Sequence, residues 1–394
     1  MRFLYTGPFR FPNGDAAASR VLNNIRILHT LGHQVDVLSF GGQYLAADKT
    51  TTGYLHDGIP YTITHDIDTH SWGERLRRYF LPPKQAWQRI KSTLSHYDAV
   101  IVYNPNLALN SPLIRRCKRL GKKLIGDFTE WYAPTDFPGG KCSPIYWLSE
   151  WNMRVVQKRY RNIIPISHYL SDYYQQANRV ILPPLICCDD AKWSTTLTDI
   201  PEDIAAFSGK KIIFAGVPGK KDLLSNLVQA ALQVIKEGLS VQIIVVGVDN
   251  SQRAHFFQDE SFLSYSNHFV FLGRKPQEQI PGYYHLADFS AIIREPNRKN
   301  SAGFPTKMAE SMASGCPVLL NATSDLSDYV ADGQNAILLS DYRVETIASR
   351  LRELVALSPD QIAQMKERAR QVARKRFDYR QYTQEVAAFL TSLK

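Results

Sequence analysis

The stretch Ser301-Ala302-Gly303-Phe304-Pro305-Thr306-Lys307-Met308-Ala309-Glu310-Ser311-Met312-Ala313-Ser314-Gly315-Cys316-Pro317-Val318 decides how the chain is read. A glycine-containing loop opens a helix, and Gly315 closes it before a strand at 317–320. A helix N-terminus presents unpaired N–H groups and the positive end of the helix dipole, which together favour a phosphate. Lys307 adds a full charge in the first turn. Pro305 suits a first-turn position because it has no N–H to lose. Glu310 lies one turn beyond Lys307, so both can face one ligand, and a carboxylate there fits a sugar diol. An ordinary i, i+3 surface pair is the plain alternative.

Outward from this stretch, short apolar runs alternate with helical patterns. Strands are expected at 2–6, 34–40, 98–103, 123–127, 162–167 and 180–183, then at 211–215, 241–246, 268–272, 289–294, 317–320 and 336–339. Between them, segments such as 223–235 and 348–357 space apolar residues three and four apart. Strands alternating with helices give parallel sheets covered by helices on both faces, an α/β fold. The pattern restarts once, because 2–6 and 211–215 both enter a Gly/Pro loop and then a helix. Two domains follow, 1–185 and 210–375, joined by a linker at 186–209 that lacks periodicity. A last helical segment, 376–394, is expected to pack back on the first domain. In open α/β sheets ligands bind beyond the carboxyl ends of the strands, so the chemistry is sought in those loops.

The 394 residues, 44% hydrophobic and 21% charged, are enough for two cores and exclude a disordered chain. No apolar run approaches the ~18–20 residues that a membrane-spanning helix needs. The start at 1–7 lacks the features of a signal peptide. Five cysteines without a CxxC spacing, two of them adjacent at Cys187-Cys188, read as reduced thiols of an intracellular protein. The net charge of +10 sits in the first half, where residues 1–185 hold 23 Lys+Arg against 13 Asp+Glu and residues 186–394 hold 24 of each. Arg75, Arg77, Arg78 and Lys84 lie among Trp72, Tyr79, Phe80, Leu81 and Trp87. Basic and aromatic residues together suit docking to an anionic membrane surface, and a solvated basic face is the alternative. No nucleic-acid-binding motif accompanies the charge.

The 301–318 stretch resembles the retaining glycosyltransferases of the GT-B fold, specifically the large family 4, whose members include enzymes of polysaccharide and cell-surface glycan biosynthesis. The pattern there is Glu, seven residues, Glu, then a small-residue helix end and Gly-x-Pro-Val. Glu310 matches the second Glu, which in that family holds the ribose of a nucleotide sugar. The first Glu falls on Ala302 here, a departure at the usual sugar-hydroxyl contact. The resemblance extends over nearly the whole chain. Phe214-Ala215-Gly216-Val217-Pro218-Gly219-Lys220-Lys221-Asp222 resembles the strand, Gly loop and Lys that open the donor domain. By that likeness Lys221, with Lys220 as the alternative, grips the donor diphosphate. The Arg usual after the first Gly is Val217, so Lys220 or Arg294 would supply the second charge. Phe271-Leu272-Gly273-Arg274 resembles the loop that reads the nucleobase, and the loop around Gly14 resembles the one lying against donor phosphate and acceptor. Gly303, Phe304, Pro305 and Thr306 complete the donor-binding set.

The resemblance implies two Rossmann-like domains facing across a cleft, the first binding an acceptor and the second a nucleotide-sugar donor. It implies transfer of a sugar, with retention, from a UDP- or GDP-linked donor to a glycan or lipid-linked acceptor in cell-surface polysaccharide synthesis. No metal and no cofactor are expected. Lys221, Lys307, Arg294 and the helix N-terminus would stabilise the departing diphosphate. The expected catalytic set is Lys221, Lys307, Glu310 and Asp127. In Lys123-Leu124-Ile125-Gly126-Asp127-Phe128-Thr129-Glu130-Trp131-Tyr132, sugars would bond to Asp127 and Glu130 and stack on Trp131, which makes these the expected acceptor contacts. Asp127 as the cap of a helix beginning at Phe128 is the alternative. The implied location is cytoplasmic, peripheral on the inner membrane face. A sugar-nucleotide epimerase and an inactive nucleotide-binding scaffold are the rivals on the same fold, and Ala302 is the one feature favouring the scaffold. Asp66-Ile67-Asp68 has a DxD form but no strand–loop context, and is set aside.

Overall fold

The computed structural model describes residues 1–12, 14–41, 50–64, 81–219, 221–257 and 260–394. The Asp66-Ile67-Asp68 motif, Trp72, the arginines at 75, 77 and 78, Tyr79, Phe80 and Lys220 lie outside the described residues. The chain divides into two compact units. The first is Met1–Ile186 with Ala302–Phe304 and Tyr379–Lys394, and the second is Cys187–Ser301 with Pro305–Asp378.

In the first unit the strands are β1 (Arg2–Gly7), β2 (Gln34–Ser39), β3 (Thr50–His56), β4 (Ile59–Thr64), β5 (Ala99–Tyr103), β6 (Lys123–Phe128), β7 (Asn162–Pro165) and β8 (Asn178–Arg179). They form one sheet in the order β3-β4-β2-β1-β5-β6-β7-β8, parallel except for the β3–β4 hairpin. In the second unit β9 (Lys210–Ala215), β10 (Val241–Val246), β11 (Phe269–Phe271), β12 (Phe289–Ile292), β13 (Val318–Asn321) and β14 (Ala336–Leu339) form a parallel sheet in the order β11-β10-β9-β12-β13-β14.

The apolar runs become strands because both faces of each sheet are covered, so neither parity of side chain meets water. Along β9, Ile212 and Phe214 pack with Leu227, Val228, Ala231 and Ile235 of the Leu224–Lys236 helix. The alternate residues Ile213 and Ala215 pack with Tyr283, Tyr284 and Cys316 on the other face. In the first unit Phe3, Tyr5, Val35, Val37, Ile101 and Ile125 share a core with Val21, Ile25 and Leu28 of the Ala16–Thr30 helix. Val386 and Phe389 of the Thr383–Thr391 helix join that core, which is why the chain end clusters with the first unit. Each such side chain contributes about 1.5–3 kcal/mol by leaving water.

The structure departs from the expected elements in three places. The β3–β4 hairpin was not expected, and its turn is Asp57-Gly58, with φ of 48° and 74°. That dipeptide with positive φ at both positions is a hairpin signature visible in the sequence. The strand expected at 180–183 is displaced to Asn178–Arg179, and Pro183 and Pro184 follow in irregular backbone. The stretch 186–209 is not a free linker. From Cys187 onward it belongs to the second unit, where Trp193 and Ile204 are buried. Trp193 Nε1 donates to the Cys187 carbonyl at 2.6 Å, and His285 Nε2 is bonded to the Trp193 carbonyl at 2.7 Å. Bonds of this kind leave no periodic trace in sequence.

Candidate functional site

In the second unit the chain runs outward from β9 to β10 and β11, then returns to β12 beside β9 and continues outward the other way. The loops after β9 and β12 therefore part in opposite directions, the topological arrangement at which open α/β sheets bind ligands. Three glycines end the strands on one side. Gly216, Gly247 and Gly273 have φ of 123°, 113° and 66°. They are tied by bonds from Gly216 N–H to the Val246 carbonyl at 2.8 Å and from Gly247 N–H to the Gly273 carbonyl at 2.7 Å. A Cβ on Gly247 would stand 2.6 Å from the Gly216 carbonyl group, so only glycine permits this approach.

The Thr306–Ala313 helix delivers Lys307 to this turn. Met308, Ala309 and Met312 are its buried face. Its far end is a Schellman turn, with Gly315 N–H bonded to the Met312 carbonyl and Cys316 N–H to the Ser311 carbonyl, both at 2.9 Å. At the near end Pro305 supplies no side-chain cap and Met308 N–H bonds the Pro305 carbonyl at 3.1 Å, so the N–H groups of Thr306 and Lys307 keep their capacity for an outside acceptor. A Cβ on Gly216 would lie 3.5 Å from Lys307 Nζ, and that ammonium stands 4.4 Å over the Phe214 ring.

Lys307 Nζ donates to Asp222 Oδ2 at 3.0 Å, and Arg294 Nε donates to Asp222 Oδ1 at 2.7 Å. Asp222 follows β9 and Arg294 follows β12, so the carboxylate bridges the two diverging loops. Asn321, at the end of β13, holds the Arg294 backbone with both ends of its amide, at 2.9 and 2.7 Å. Burial alone would raise the Asp222 carboxyl, but the charges of Lys307 and Arg294 outweigh it and hold it below its ordinary value. Burial lowers the Lys307 ammonium, against the opposing pull of Asp222. Two cations share one carboxylate, which leaves one positive charge beside the Gly216 turn. A ligand with negative charge would be held there.

Glu310 is half-buried one turn along the same helix. Burial raises its carboxyl above the ordinary 4.5, and the charges of Lys192 and Lys307 oppose that rise. Its carboxylate makes no hydrogen bond with another described residue, so both oxygens are open to accept from a ligand. Lys221 is half-buried in the same loop, and Lys307 is the cation whose ammonium stands at the Gly216 turn. Arg274 is exposed, Gly303, Phe304 and Pro305 are buried, and Thr306 is half-buried. Ala302 is fully buried and its carbonyl accepts from Ser167 Oγ at 2.7 Å, so this position offers backbone in place of a carboxylate.

In the first unit the expected acceptor contacts are corrected. Asp127 is wholly buried at the end of β6, and no helix begins at Phe128. Its Oδ2 accepts from the Tyr5 hydroxyl and its Oδ1 from Arg20 Nε at 2.8 Å. Arg20 spends its other donors on the carbonyls of Leu182 at 2.6 Å and Ile164 at 3.3 Å. Asp127 is thus the charge-paired centre of a buried hydrogen-bond network. Trp131 is 2% exposed, with Nε1 donating to Glu150 Oε1 at 2.9 Å, so it is an anchor and not a stacking platform. Glu130 is half-buried. Gly14 is exposed, with φ of 123°, just ahead of a helix whose N-terminus is already capped: Asp15 Oδ1 accepts from Ala18 N–H at 2.7 Å.

Residues 200–372 match the family model described as glycosyl transferases group 1. The fold is that of the GT-B glycosyltransferases. Sucrose-phosphate synthase from Thermosynechococcus elongatus superposes with a TM-score of 0.74 at 14% identity, covering 99% of this chain and 98% of that one. HepE from Anabaena, in complex with UDP, gives 0.67 at 16% identity with all of each chain covered. WaaG, a glycosyltransferase involved in lipopolysaccharide biosynthesis, gives 0.63 at 16% with 99% of each covered. No protein of curated function matches the sequence significantly. At these identities the structures speak for the fold. The family match covers β9 to β14 and so includes Gly216, Asp222, Arg294, Lys307 and Glu310.

Proposed function

We propose that this chain is a glycosyltransferase that takes a sugar from a nucleoside diphosphate, UDP or GDP, and passes it with retention to a glycan or lipid-linked acceptor in cell-surface polysaccharide synthesis. The observation that carries the reading is the unbalanced cluster in which Lys307 and Arg294 share Asp222 beside the Gly216 turn. As the bond to the sugar breaks, charge accumulates on the departing diphosphate. Lys307, Arg294 and the uncapped N–H groups at Thr306 and Lys307 are fixed in place to receive it, with Lys221 at the same loop. No metal is required by this arrangement, because the excess positive charge is the protein's own. Glu310, one turn further, accepts from both hydroxyls of the ribose. Arg274 and Gly273 edge the base, and Lys307 and Glu310 sit on one helix face so that a single nucleotide reaches both.

Two structural relatives support the class of donor and product: HepE, in complex with UDP, and WaaG, a glycosyltransferase involved in lipopolysaccharide biosynthesis. The basic excess of residues 1–185 supports an anionic acceptor at the cytoplasmic face of a membrane. Calorimetric titration with UDP and GDP tests the donor reading. One of them binds with chelator present, and Glu310→Ala weakens it. A protein that binds neither is no nucleotide-sugar enzyme. Donor turnover without acceptor, giving an altered nucleotide sugar, would point to an epimerase.

A further inference from the structure

The helical run from the Pro144–Trp151 helix through Asn152–Val156 to Gln157–Arg159 has an unusual outer face. Its exposed members include Pro144, Trp147, Trp151, Arg154 and Lys158, spaced alternately three and four apart. Trp147 and Trp151 are 60% and 57% exposed, more than any other aromatic side chain among the described residues. Exposed tryptophans standing together at i, i+4 mark a surface made for a partner.

The cations on this face are held among rings. The Arg154 guanidinium lies 5.3 Å from the Trp131 ring centre, the Lys158 ammonium lies 4.6 Å from that of Tyr173, and those two rings are 4.4 Å apart. Lys141, Arg159 and Arg161 are also exposed. From 141 to 161 the single acidic residue is Glu150, which is buried and consumed by Trp131 Nε1 and Arg154 Nε. Residues 141–161 therefore show two large exposed rings and five exposed cations, and no exposed carboxylate.

We propose that this face docks the enzyme on an anionic phospholipid bilayer, with Trp147 and Trp151 entering the headgroup level and Arg154, Lys158, Arg159 and Arg161 meeting lipid phosphates. Tryptophan is suited to that depth because its ring is apolar and its edge polar. Clustered cations supply the attraction to anionic lipid, and the rings hold the protein once salt screens it. The choice of a bilayer rests on the membrane-side acceptor proposed above. The surface itself is distinct from the 75–84 cluster that the sequence suggested.

The test uses the full chain with vesicles of phosphatidylcholine alone and with roughly one-quarter phosphatidylglycerol. Wild type sediments with the anionic vesicles and its tryptophan emission shifts to the blue. Trp147→Ser with Trp151→Ser weakens this about tenfold, and Lys158→Glu, Arg159→Glu and Arg161→Glu together weaken it by about a hundredfold at low salt. Either variant sedimenting like wild type overturns the proposal. So does binding lost only on changing Arg75, Arg77, Arg78 and Lys84, or equal binding to a dissolved anionic polysaccharide with no emission shift. UDP and GDP titrations on the same proteins separate the two readings. A variant that binds nucleotide normally but not vesicles supports this surface. A wild type that binds nucleotide but no vesicle overturns it and leaves the donor reading standing.

Discussion

Asp127, near the end of β6, and Asp222, in the loop beyond β9, both have buried carboxylates, and each is bonded to cations reached from distant sequence. They differ in balance. Asp127 meets one cation, Arg20, and a tyrosine hydroxyl, and Arg20 spends its remaining donors on backbone carbonyls. Both carboxylate oxygens and the guanidinium have partners within the first unit. Asp222 meets two cations, and the surplus charge stands beside a turn of glycine with an uncapped helix start next to it. The first cluster is complete without a ligand, and the second is completed by one. Position toward the carboxyl end of a strand is common to both, so position alone cannot tell a binding site from a packing network.

The comparison breaks most readily at Asp127. Asp127→Ala leaves the Arg20 guanidinium buried without a counter-charge, and urea unfolding is expected to show a loss of about 3–5 kcal/mol. A variant as stable as wild type would deny that the first cluster is structural. Lys307→Ala has the opposite signature. The remaining Asp222–Arg294 pair is balanced, so the melting temperature stays near wild type while nucleoside diphosphate affinity falls about ten- to a hundredfold, corresponding to a charged hydrogen bond of about 1.5–3 kcal/mol. Unchanged affinity by calorimetry would place the anion elsewhere.

A pH series sharpens the second half of the comparison. Burial raises the Glu310 carboxyl above 4.5. A raised carboxyl pKa means that the accepting, ionised form is lost sooner as pH falls, so nucleoside affinity declines on descending through that pKa and is full well above it. Glu310→Gln should lack this limb, and a variant that keeps it would assign the titration to another group. The smallest effect belongs to the two helix starts. Asp15→Ala removes the bond to Ala18 N–H and should cost about 1 kcal/mol by thermal unfolding. Pro305→Ala removes no side-chain cap, and its effect should appear in nucleotide affinity if anywhere.

Much of the second unit was legible because its strands are short apolar runs ended by glycine, and glycine records a backbone requirement directly in sequence. Lys307 and Glu310 could be read together because they are three residues apart on one helix. Asp222 could not, since its partners lie 72 and 85 residues away and meet it only through the strand order β10-β9-β12. The same holds for Arg20, 107 residues from Asp127, whose bond turned an attractive acceptor candidate into a core residue. Trp131 misled for a related reason: an aromatic residue after a strand looks the same in sequence whether it lines a surface or fills a core. The Asp57-Gly58 hairpin, by contrast, was written plainly at short range and needed only its flanking strands to be recognised.

The order of the strands also fixes when binding competence arises during synthesis. A chain that has emerged only as far as residue 288 already carries Gly216, Gly247, Gly273 and Asp222, yet neither Arg294 nor Lys307. At that length Asp222 still lacks both of the cations that bond it in the finished site. Only when β12 inserts next to β9 and the Thr306–Ala313 helix follows does the three-membered cluster assemble. The charge arrangement beside the Gly216 turn is therefore completed late in synthesis, by residues that follow the turn by about half the length of the second unit.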